Sequence, residues 1–146
     1  MKAVIQRVKW ARVLIDGRVL SKISQGLLVL LCVEKGDNEK ILAWMADKLA
    51  NLRIFPDEKG KFNLSVRDLN GEILLVSNFT ICGELKKGTR PSFHLAEDPS
   101  IAQTLFDKLC QILTERGLTV KTGLFGAHME IELLNDGPVT IVLSKN

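Results

Sequence analysis

The most distinctive chemistry in this sequence lies in residues 135–140, which read Asn-Asp-Gly-Pro-Val-Thr. Gly137 has no Cβ, whereas Pro138 has no N–H and a fixed φ, so the dipeptide presents its backbone carbonyls in a rigid and uncrowded array. Such an array could bind an amine or exclude a side chain. The Gly-Pro bond can also be cis at a cost of about 0.5–1 kcal/mol. Because apolar runs flank the segment at 129–134 and 139–143, it also has the character of a hairpin turn between two strands.

A second polar segment, residues 77–80, follows directly on an apolar run at 73–76 that predicts a buried strand. Polar groups at the end of a core strand are held rigidly and can line a pocket. Ser77 or Thr80 could be a nucleophile, although no general base is close in sequence. Alternatively, the backbone N–H groups could face a developing oxyanion, or the strand simply emerges into solvent while Phe79 returns to the core.

Two loops could contribute to a ligand site. The first combines three cations with a nearby serine and phenylalanine, which suits phosphate contacts beside an aromatic platform and equally suits a solvated charged loop. Its cations are Lys86, Lys87 and Arg90. The second is a glycine-flanked apolar loop at 122–129, in which Phe125 and Met129 are either core residues or pocket walls.

Several catalytic motifs are missing from the sequence. There is no HExxH motif, no Cys/His cluster and no Glu-rich constellation, so we expect no metal and no cofactor. A glycine-rich phosphate cradle and a GxSxG elbow are also missing. His94 and His128 lie in different segments, and a lone histidine is usually a surface or hydrogen-bonded structural residue.

Length and composition indicate one globular domain with one core, since the chain has 146 residues, of which 46% are hydrophobic and 25% charged. No apolar run is long enough to span a bilayer, and the N-terminus has no signal-peptide layout, so we expect a cytoplasmic protein. The cysteines are odd in number and form no CxxC pair, which predicts reduced core thiols at Cys32, Cys82 and Cys110. The net charge of +3 permits a polyanion partner without requiring one.

Hydrophobic periodicity predicts a strand-rich chain with two helices. Asp37 or Asn38 can cap the first helix, and Asp98 followed by Pro99 can begin the second, which Gly117 ends. The second helix is expected to bury Ile101, Leu105, Leu109, Ile112 and Leu113. The predicted strands are 4–8, 11–15, 19–23, 27–33 and 73–76, followed by further strands from 120 onward, with a loop near Pro56 and Gly60. This pattern indicates a mixed α/β domain with the helices on one side of the sheets.

Five segments, taken together in this order and spacing, closely resemble the D-aminoacyl-tRNA deacylases, which are also called D-tyrosyl-tRNA deacylases. They are residues 5–8, 77–81, 90–93, 122–125 and 135–140. The resemblance runs from Met1 to about Leu143. The sequence keeps the Asn-x-Gly-Pro-Val-Thr motif of that family in full. It departs from the Ser-Gln-Phe-Thr-Leu motif, with Asn78 in place of Gln and Ile81 in place of Leu, so the amide is kept on a side chain one methylene shorter.

The resemblance implies a single α/β domain over residues 1–146, built as a three-layer β/β/α sandwich with two main helices on one side. It implies a homodimer that hydrolyses the ester joining a D-amino acid, or glycine, to the terminal ribose of a tRNA. Gly137 and Pro138 would form a cis peptide that reaches from one subunit into the pocket of the other. There they would act as a chiral gate that rejects L-amino acids, with Arg7 bracing the dipeptide.

The resemblance, together with the chemistry of an already activated ester, implies that side chains contribute little to catalysis. Backbone N–H groups around Phe79 and Thr80 would stabilise the oxyanion, and the ribose 2′-OH would assist. The substrate pocket would comprise Ser77, Asn78, Phe125 and Met129, and tRNA contacts would come from Lys86, Lys87 and Arg90. Two alternatives stay open: a conventional esterase with Thr80 or Ser77 as nucleophile, and a non-enzymatic dimeric RNA-binding module, which the basic loop and the pI of 8.8 suggest.

Overall fold

The computed structural model describes residues 1–86 and 88–146. Its strands are β1 (Lys2–Ile15), β2 (Arg18–Ile23), β3 (Gly26–Cys32), β4 (Phe55–Pro56), β5 (Phe62–Leu64), β6 (Glu72–Ser77), β7 (Thr119–Thr122) and β8 (Glu130–Ser144). Its helices are α1 (Glu39–Asn51) and α2 (Pro99–Glu115), and a 3₁₀ turn spans Phe79–Cys82. None of the described helices has the length and apolar character needed to cross a membrane.

One sheet carries most of the strands, in the order β2-β1-β3-β6-β7, with β8 paired to β1. The first half of β1 pairs with β3 and the second half with β2, while β8 runs antiparallel along nearly the whole of β1. Strands β3, β6 and β7 are parallel to one another. Strand β6 therefore lies between two neighbours, and its carboxyl end, Val76 and Ser77, pairs with β3 at the point where the polar segment 77–80 begins.

Two strand predictions were wrong in the same way. The separate strands predicted at 4–8 and 11–15 are one continuous strand, β1, in which the exposed Lys9 and Trp10 interrupt the apolar pattern. From Glu130 onward, the apolar runs predicted at 129–134 and 139–143 likewise belong to one strand, β8, because both pair with β1 in the same direction. Residues 135–140 are therefore not a hairpin turn.

Helix capping follows the sequence prediction. The Asn38 side chain accepts hydrogen bonds from the backbone N–H groups of Lys40 and Ile41, and Asp98 accepts one from Ser100. The buried stripe of α2 differs from the prediction, because it centres on Ala102, Phe106, Leu109 and Leu113. Ile101, expected in that stripe, is exposed. Residues near Pro56 form the short β4–β5 hairpin rather than an irregular loop.

Apolar side chains on the two faces of the sheet form two clusters. Successive residues of β3 alternate between them, because Leu27, Val29 and Leu31 contact the helices, whereas Leu28 faces the opposite cluster. The second cluster is closed by the distal parts of β1 and β8, with Val13 buried and Ile131 partly buried. The chain is thus the mixed α/β fold that the sequence predicted, with a sheet and two helices.

Candidate functional site

A cavity of 670 Å³ lies at the carboxyl end of β6. Its walls come from the 3₁₀ turn, the start of α2 and the loop between β7 and β8. All six residues that the resemblance placed on the catalytic and aminoacyl side line this cavity: Ser77, Asn78, Phe79, Thr80, Phe125 and Met129. The structure therefore brings together two segments that are more than forty residues apart in sequence.

The 3₁₀ turn Phe79–Cys82 begins where β6 leaves the sheet. Ser77 is the last residue of β6 and pairs with Leu31 of β3. The Asn78 N–H then donates to the Leu31 carbonyl at 2.8 Å. Phe79 and Thr80 are the first two residues of the turn, so their N–H groups have no acceptor within it. Both residues line the cavity, so their backbone N–H groups are candidate donors to an oxygen atom of a bound molecule.

The Thr80 hydroxyl is engaged by its neighbour. It donates a hydrogen bond to Asn78 Oδ1 at 2.5 Å. A nucleophilic hydroxyl must instead donate to a general base. Among the described residues, no histidine or carboxylate accepts from Thr80, and His94 is hydrogen-bonded to Ser92 at 3.0 Å. Asn78, the departure from the motif of the resembled family, thus has a local role in holding the Thr80 side chain.

Aromatic rings form one wall of the cavity. The ring of Phe79 is 57% exposed, so the interpretation in which Phe79 returns to the core is wrong. Phe93 meets it edge to face, with ring centroids 5.1 Å apart. Phe125 makes a similar contact with Phe106 of α2 at 6.0 Å. An exposed ring that a second ring holds in place is a suitable stacking surface for a planar ligand.

Residues 136–139 form a bulge in β8. Gln6 pairs with Thr140 and Val8 with Asn135, so a single residue of β1, Arg7, lies opposite four residues of β8. The Gly137–Pro138 peptide bond within the bulge is cis, and both residues are exposed. Neither of them is among the described residues that line the cavity.

Hydrogen bonds hold this bulge on both sides. Arg7, which is only 8% exposed, donates from Nε to the Asp136 carbonyl at 2.8 Å and from Nη1 to the Ile54 carbonyl at 2.7 Å. The Asn135 amide spans the bulge, since it donates to the Val139 carbonyl at 3.1 Å and accepts from the Val139 N–H at 2.8 Å. Arg7 thus has the position that a brace requires, and Asn135 is a second support that sequence reasoning did not assign.

Two cations of the basic loop, Lys86 and Arg90, do not line the cavity. Lys86 and Arg90 are exposed, and Lys87 falls outside the described residues. Lys86 is 3.0 Å from Glu84, and its hydrogen bond holds the pKa of that carboxyl below its usual range. Phe93 connects this loop to the cavity, because it contacts Phe79 and contributes to the wall.

Several other wall residues could not be predicted from the sequence. Glu97 and His128 both line the cavity, although each is an isolated titratable residue in its own segment. The Glu97 N–H donates to the Val33 carbonyl at 3.0 Å, which places the start of α2 beside the end of β3. Only the packing of these segments shows that the two side chains share one cavity.

The expectation of three reduced cysteines was wrong for two of them. Cys32 at the end of β3 and Cys82 at the end of the 3₁₀ turn form a disulfide, with a Cα–Cα distance of 6.2 Å. They are 50 residues apart, so their spacing gave no signal of the pair. Cys110 is free, and burial raises the pKa of its thiol to about 12, which makes it unreactive at neutral pH. Within the described residues, no cluster of metal-ligand side chains is present.

Comparison with known proteins gives consistent matches over the whole chain. A sequence model described as D-Tyr-tRNA(Tyr) deacylase matches residues 4–144. The D-aminoacyl-tRNA deacylase of Carboxydothermus hydrogenoformans is 51% identical over 143 residues, covering 98% of this chain and 99% of the relative. The D-aminoacyl-tRNA deacylase of Thermotoga petrophila is 49% identical over 146 residues, covering 100% and 98%.

Two solved structures show the same fold. One is described as c-Myc DNA Unwinding Element Binding Protein and superposes with a TM-score of 0.94 at 42% identity, covering 100% of this chain and 99% of the other. The second is described as a probable eukaryotic D-amino acid tRNA deacylase, with a TM-score of 0.85, 15% identity and 97% coverage of both chains. At that identity the second likeness concerns the fold alone. The matched span includes both the cavity and the bulge.

Proposed function

This chain belongs to the D-Tyr-tRNA(Tyr) deacylase family, and we propose on that premise that it hydrolyses the ester bond of D-aminoacyl-tRNA, releasing the D-amino acid and the tRNA. The observation that carries the proposal is the position of the Gly137–Pro138 bulge. It is exposed and firmly held, yet it lies outside the cavity of its own chain. A braced backbone element of this kind is suited to completing the cavity of a second copy.

In the proposed homodimer, each bulge enters the cavity of the partner subunit and checks the handedness of the substrate. The carbonyl oxygens of Gly137 and Pro138 accept hydrogen bonds from the α-ammonium group. The same backbone leaves no space for a side chain in the L position. A wall of backbone cannot rotate aside as a side chain does, so it discriminates by steric overlap rather than by the loss of a methylene contact, which is worth only about 1–3 kcal/mol.

Such a gate contacts the substrate at its α-carbon and does not contact the rest of a D side chain. Many D-amino acids are therefore accepted. Glycine has no side chain to be rejected, so glycyl-tRNA is accepted as well. We infer that Arg7 and Asn135 hold the Gly137–Pro138 peptide in its position. Arg7 binds the carbonyl of the residue before Gly137, and Asn135 binds the residue after Pro138.

The chemical step in this proposal relies on backbone donors and on the RNA. Water attacks the ester carbonyl, and the N–H groups of Phe79 and Thr80 stabilise the resulting oxyanion. Loss of one such donor in other enzymes lowers the rate roughly 10²–10³-fold. The ribose 2′-OH assists proton transfer as the ester C–O bond breaks, and the ribose 3′-oxygen leaves with a proton as the 3′-OH. No side chain acts as nucleophile, which agrees with the Thr80 hydroxyl donating to Asn78.

Binding of the tRNA end uses the rings and the basic loop. Phe79 and Phe93 offer a stacking surface for the terminal adenine, and Ser77, Phe125 and Met129 surround the aminoacyl group. Lys86 and Arg90 are exposed beside this wall and would contact phosphates, together with Lys87, whose structure is not described. The substrates would be the charged tRNAs of the cytoplasm, and binding would weaken as salt rises.

The deciding experiment is a matched hydrolysis assay with D-tyrosyl-tRNA and L-tyrosyl-tRNA at the same enzyme concentration. We expect release of D-tyrosine while the L-ester stays intact. Equal hydrolysis of both would contradict a backbone gate. Salt-sensitive binding of both tRNAs without hydrolysis of either would support the alternative of a non-enzymatic RNA-binding module.

A second assay tests the role of the RNA. D-tyrosyl-tRNA ending in 3′-aminoacylated 2′-deoxyadenosine should be hydrolysed far more slowly than the ribose form, while its affinity stays similar. Turnover at the normal rate would remove the 2′-OH from the mechanism and favour the esterase alternative, in which the protein supplies the nucleophile.

A further inference from the structure

Arg7 is an unusual residue to find in the interior of this fold. Among the described residues it is the only buried cation on a side chain, since the other buried polar or charged residues are Glu34 and Ser65. A guanidinium removed from water needs compensation by partners. Its two close hydrogen bonds go to neutral carbonyls, and its ion pair with Asp136 is loose, at 3.8 Å from Nε.

An aromatic ring supplies a further partner. The Arg7 guanidinium carbon lies 5.4 Å from the ring centroid of Phe62, which is within the range of a cation–π contact. Phe62 is on β5 and is 55% exposed. The ring thus separates one face of a buried cation from solvent, which gives this exposed aromatic residue a function on the monomer itself.

The hairpin that carries Phe62 is well fixed. Asp57 accepts hydrogen bonds from the Lys59 and Lys61 N–H groups and from Asn63 at 2.8–3.2 Å. These bonds hold the pKa of Asp57 below its usual range, the bond from Lys61 contributing most. Ile54, whose carbonyl accepts from Arg7, is buried directly before β4. Strands β4 and β5 and the preceding residue therefore form one rigid support for the guanidinium.

We infer that Phe62 is a positioning residue for chiral selection. By its contact with the Arg7 guanidinium, it keeps in place the side chain that donates to the Asp136 carbonyl, and thereby the placement of Gly137 and Pro138. This inference rests on the proposed function, since it gives Phe62 a part in the same gate. Phe62 contacts Arg7 and does not line the cavity, so the inferred effect on selectivity is transmitted through the guanidinium.

The test compares Phe62→Ala, Phe62→Leu and Phe62→Tyr with the wild-type protein. Val19→Ala is the control, since Val19 is similarly exposed at 48% and lies on β2. The ratio of kcat/KM for D-tyrosyl-tRNA to that for L-tyrosyl-tRNA should fall about two- to fivefold in Phe62→Ala and Phe62→Leu, the size expected for a cation–π contact at a partly exposed site. Phe62→Tyr keeps the ring face and should keep the ratio, as should Val19→Ala.

A second measurement does not depend on activity. The Val139 amide donates to Asn135 within the bulge, and its hydrogen exchange, followed by NMR, should accelerate two- to fivefold in Phe62→Ala and not in Phe62→Tyr. Unchanged exchange together with an unchanged D-to-L ratio would overturn the inference. Equal losses of D and L hydrolysis with a lower Tm would also overturn it, because they would show that Phe62 only stabilises the fold.

The two proposals can fail separately. If the wild-type protein does not discriminate D from L esters, the proposed function fails, while the exchange of the Val139 amide still decides whether Phe62 positions the bulge. If the wild-type protein discriminates and Phe62→Leu behaves like wild type in both measurements, the gate stands and the role of the ring face is refuted.

Discussion

The Gly137–Pro138 bulge and the 3₁₀ turn Phe79–Cys82 differ in how the chain holds them. In the bulge, side chains bind the backbone on both sides, with Arg7 on the Asp136 carbonyl and Asn135 on Val139. In the turn, the leading N–H groups have no acceptor within the turn itself, and Phe79 is largely exposed. Gly137 and Pro138 therefore belong to a braced element that does not line the 670 Å³ cavity, whereas Phe79 and Thr80 of the turn do line it.

This difference shows how selection and catalysis can be divided. A gate that works by steric exclusion must not yield, so its backbone is held from several directions. A site that binds a developing oxyanion needs donors with nothing yet bound to them. Substitutions in the bulge should therefore affect selectivity and stability together, while substitutions of Phe79 and Thr80 in the turn should affect turnover or affinity and leave stability nearly unchanged.

The largest effect is expected from Gly137→Ala. A Cβ at Gly137, where φ is +147°, would lie 2.7 Å from Val139 Cγ2 and 3.2 Å from Arg7 Nη2. The strain should cost about 1–3 kcal/mol of stability, and the displaced bulge should lower the D-to-L ratio by more than tenfold. The measurements are chemical denaturation and the paired hydrolysis assay.

Gly126→Ala is the matched control for that variant. Gly126 also has a positive φ, +76°, but a Cβ there would meet nothing within 4 Å, and the residue lines the cavity. The Gly126→Ala variant should lose about 1 kcal/mol of stability from the backbone conformation alone and should keep the wild-type D-to-L ratio. Equal loss of selectivity in both variants would mean that the bulge has no special role.

Phe79→Ala should act on affinity. Stacking of a base on an aromatic ring is worth about 1–3 kcal/mol, so KM for D-aminoacyl-tRNA should rise roughly 5- to 150-fold with an unchanged Tm. Leu124→Ala is the comparison, since Leu124 is 54% exposed in the neighbouring loop and does not line the cavity. A fall in kcat at constant KM would instead assign Phe79 to the chemical step alone.

Thr80→Ala should have a small effect. It removes the hydrogen bond to Asn78, worth about 0.5–1.5 kcal/mol, and leaves the backbone N–H in place, so the rate should fall by less than about tenfold. If Thr80 is instead the nucleophile, Thr80→Ala should lower the hydrolysis rate by several orders of magnitude, whereas Thr80→Ser should retain activity.

The smallest effect is expected at Asp98, which caps α2 beside the cavity. Hydrogen bonds from the Ser100 side chain and backbone lower the pKa of Asp98 from its ordinary 3.8. A lowered folded-state pKa contributes stability above the ordinary pKa, and this contribution is lost as pH falls through the lowered value. Asp98→Ala should lower Tm by roughly 2–4 °C at pH 7. The difference from wild type should shrink below about pH 3.8.

Asp98→Asn provides the control for the pH dependence. Asparagine is an equally good capping residue but does not ionise, so the Tm of the variant at pH 7 should be close to that of the wild-type protein. Its Tm should also lack the part of the acid dependence that Asp98 contributes. A pH profile identical to that of wild type would show that the Asp98 charge contributes nothing measurable.

Local features were the most predictable from sequence. The caps at Asn38 and Asp98 depend on residues two or three positions away, and the buried strand that precedes Ser77 depends on a single apolar run. The segment Gly137–Pro138 was recognisable because two residues with special backbones stand side by side. Each of these signals lies within one segment, so a pattern in the chain suffices to find it.

Features that join distant segments were not predictable. The disulfide between Cys32 and Cys82 and the shared cavity of Glu97 and His128 depend on where strands end in the sheet. The carbonyl of Ile54 as a partner of Arg7 had no signal at all, because every residue carries a carbonyl and only the fold decides which one is buried beside a guanidinium.

The helices and strands, the helix caps and the two candidate functional motifs were predictable from the sequence alone, because they follow from side-chain size, backbone freedom and periodicity over a few residues. Only the tertiary structure shows that β8 is one strand with a bulge rather than a hairpin, and that Gly137 and Pro138 do not line the cavity of their own chain. Pairing with β1 accounts for the continuous strand: hydrogen bonds along the fourteen residues of β1 stabilise a continuous partner and leave four residues opposite Arg7, of which Gly137 and Pro138 are exposed and Val139 is buried.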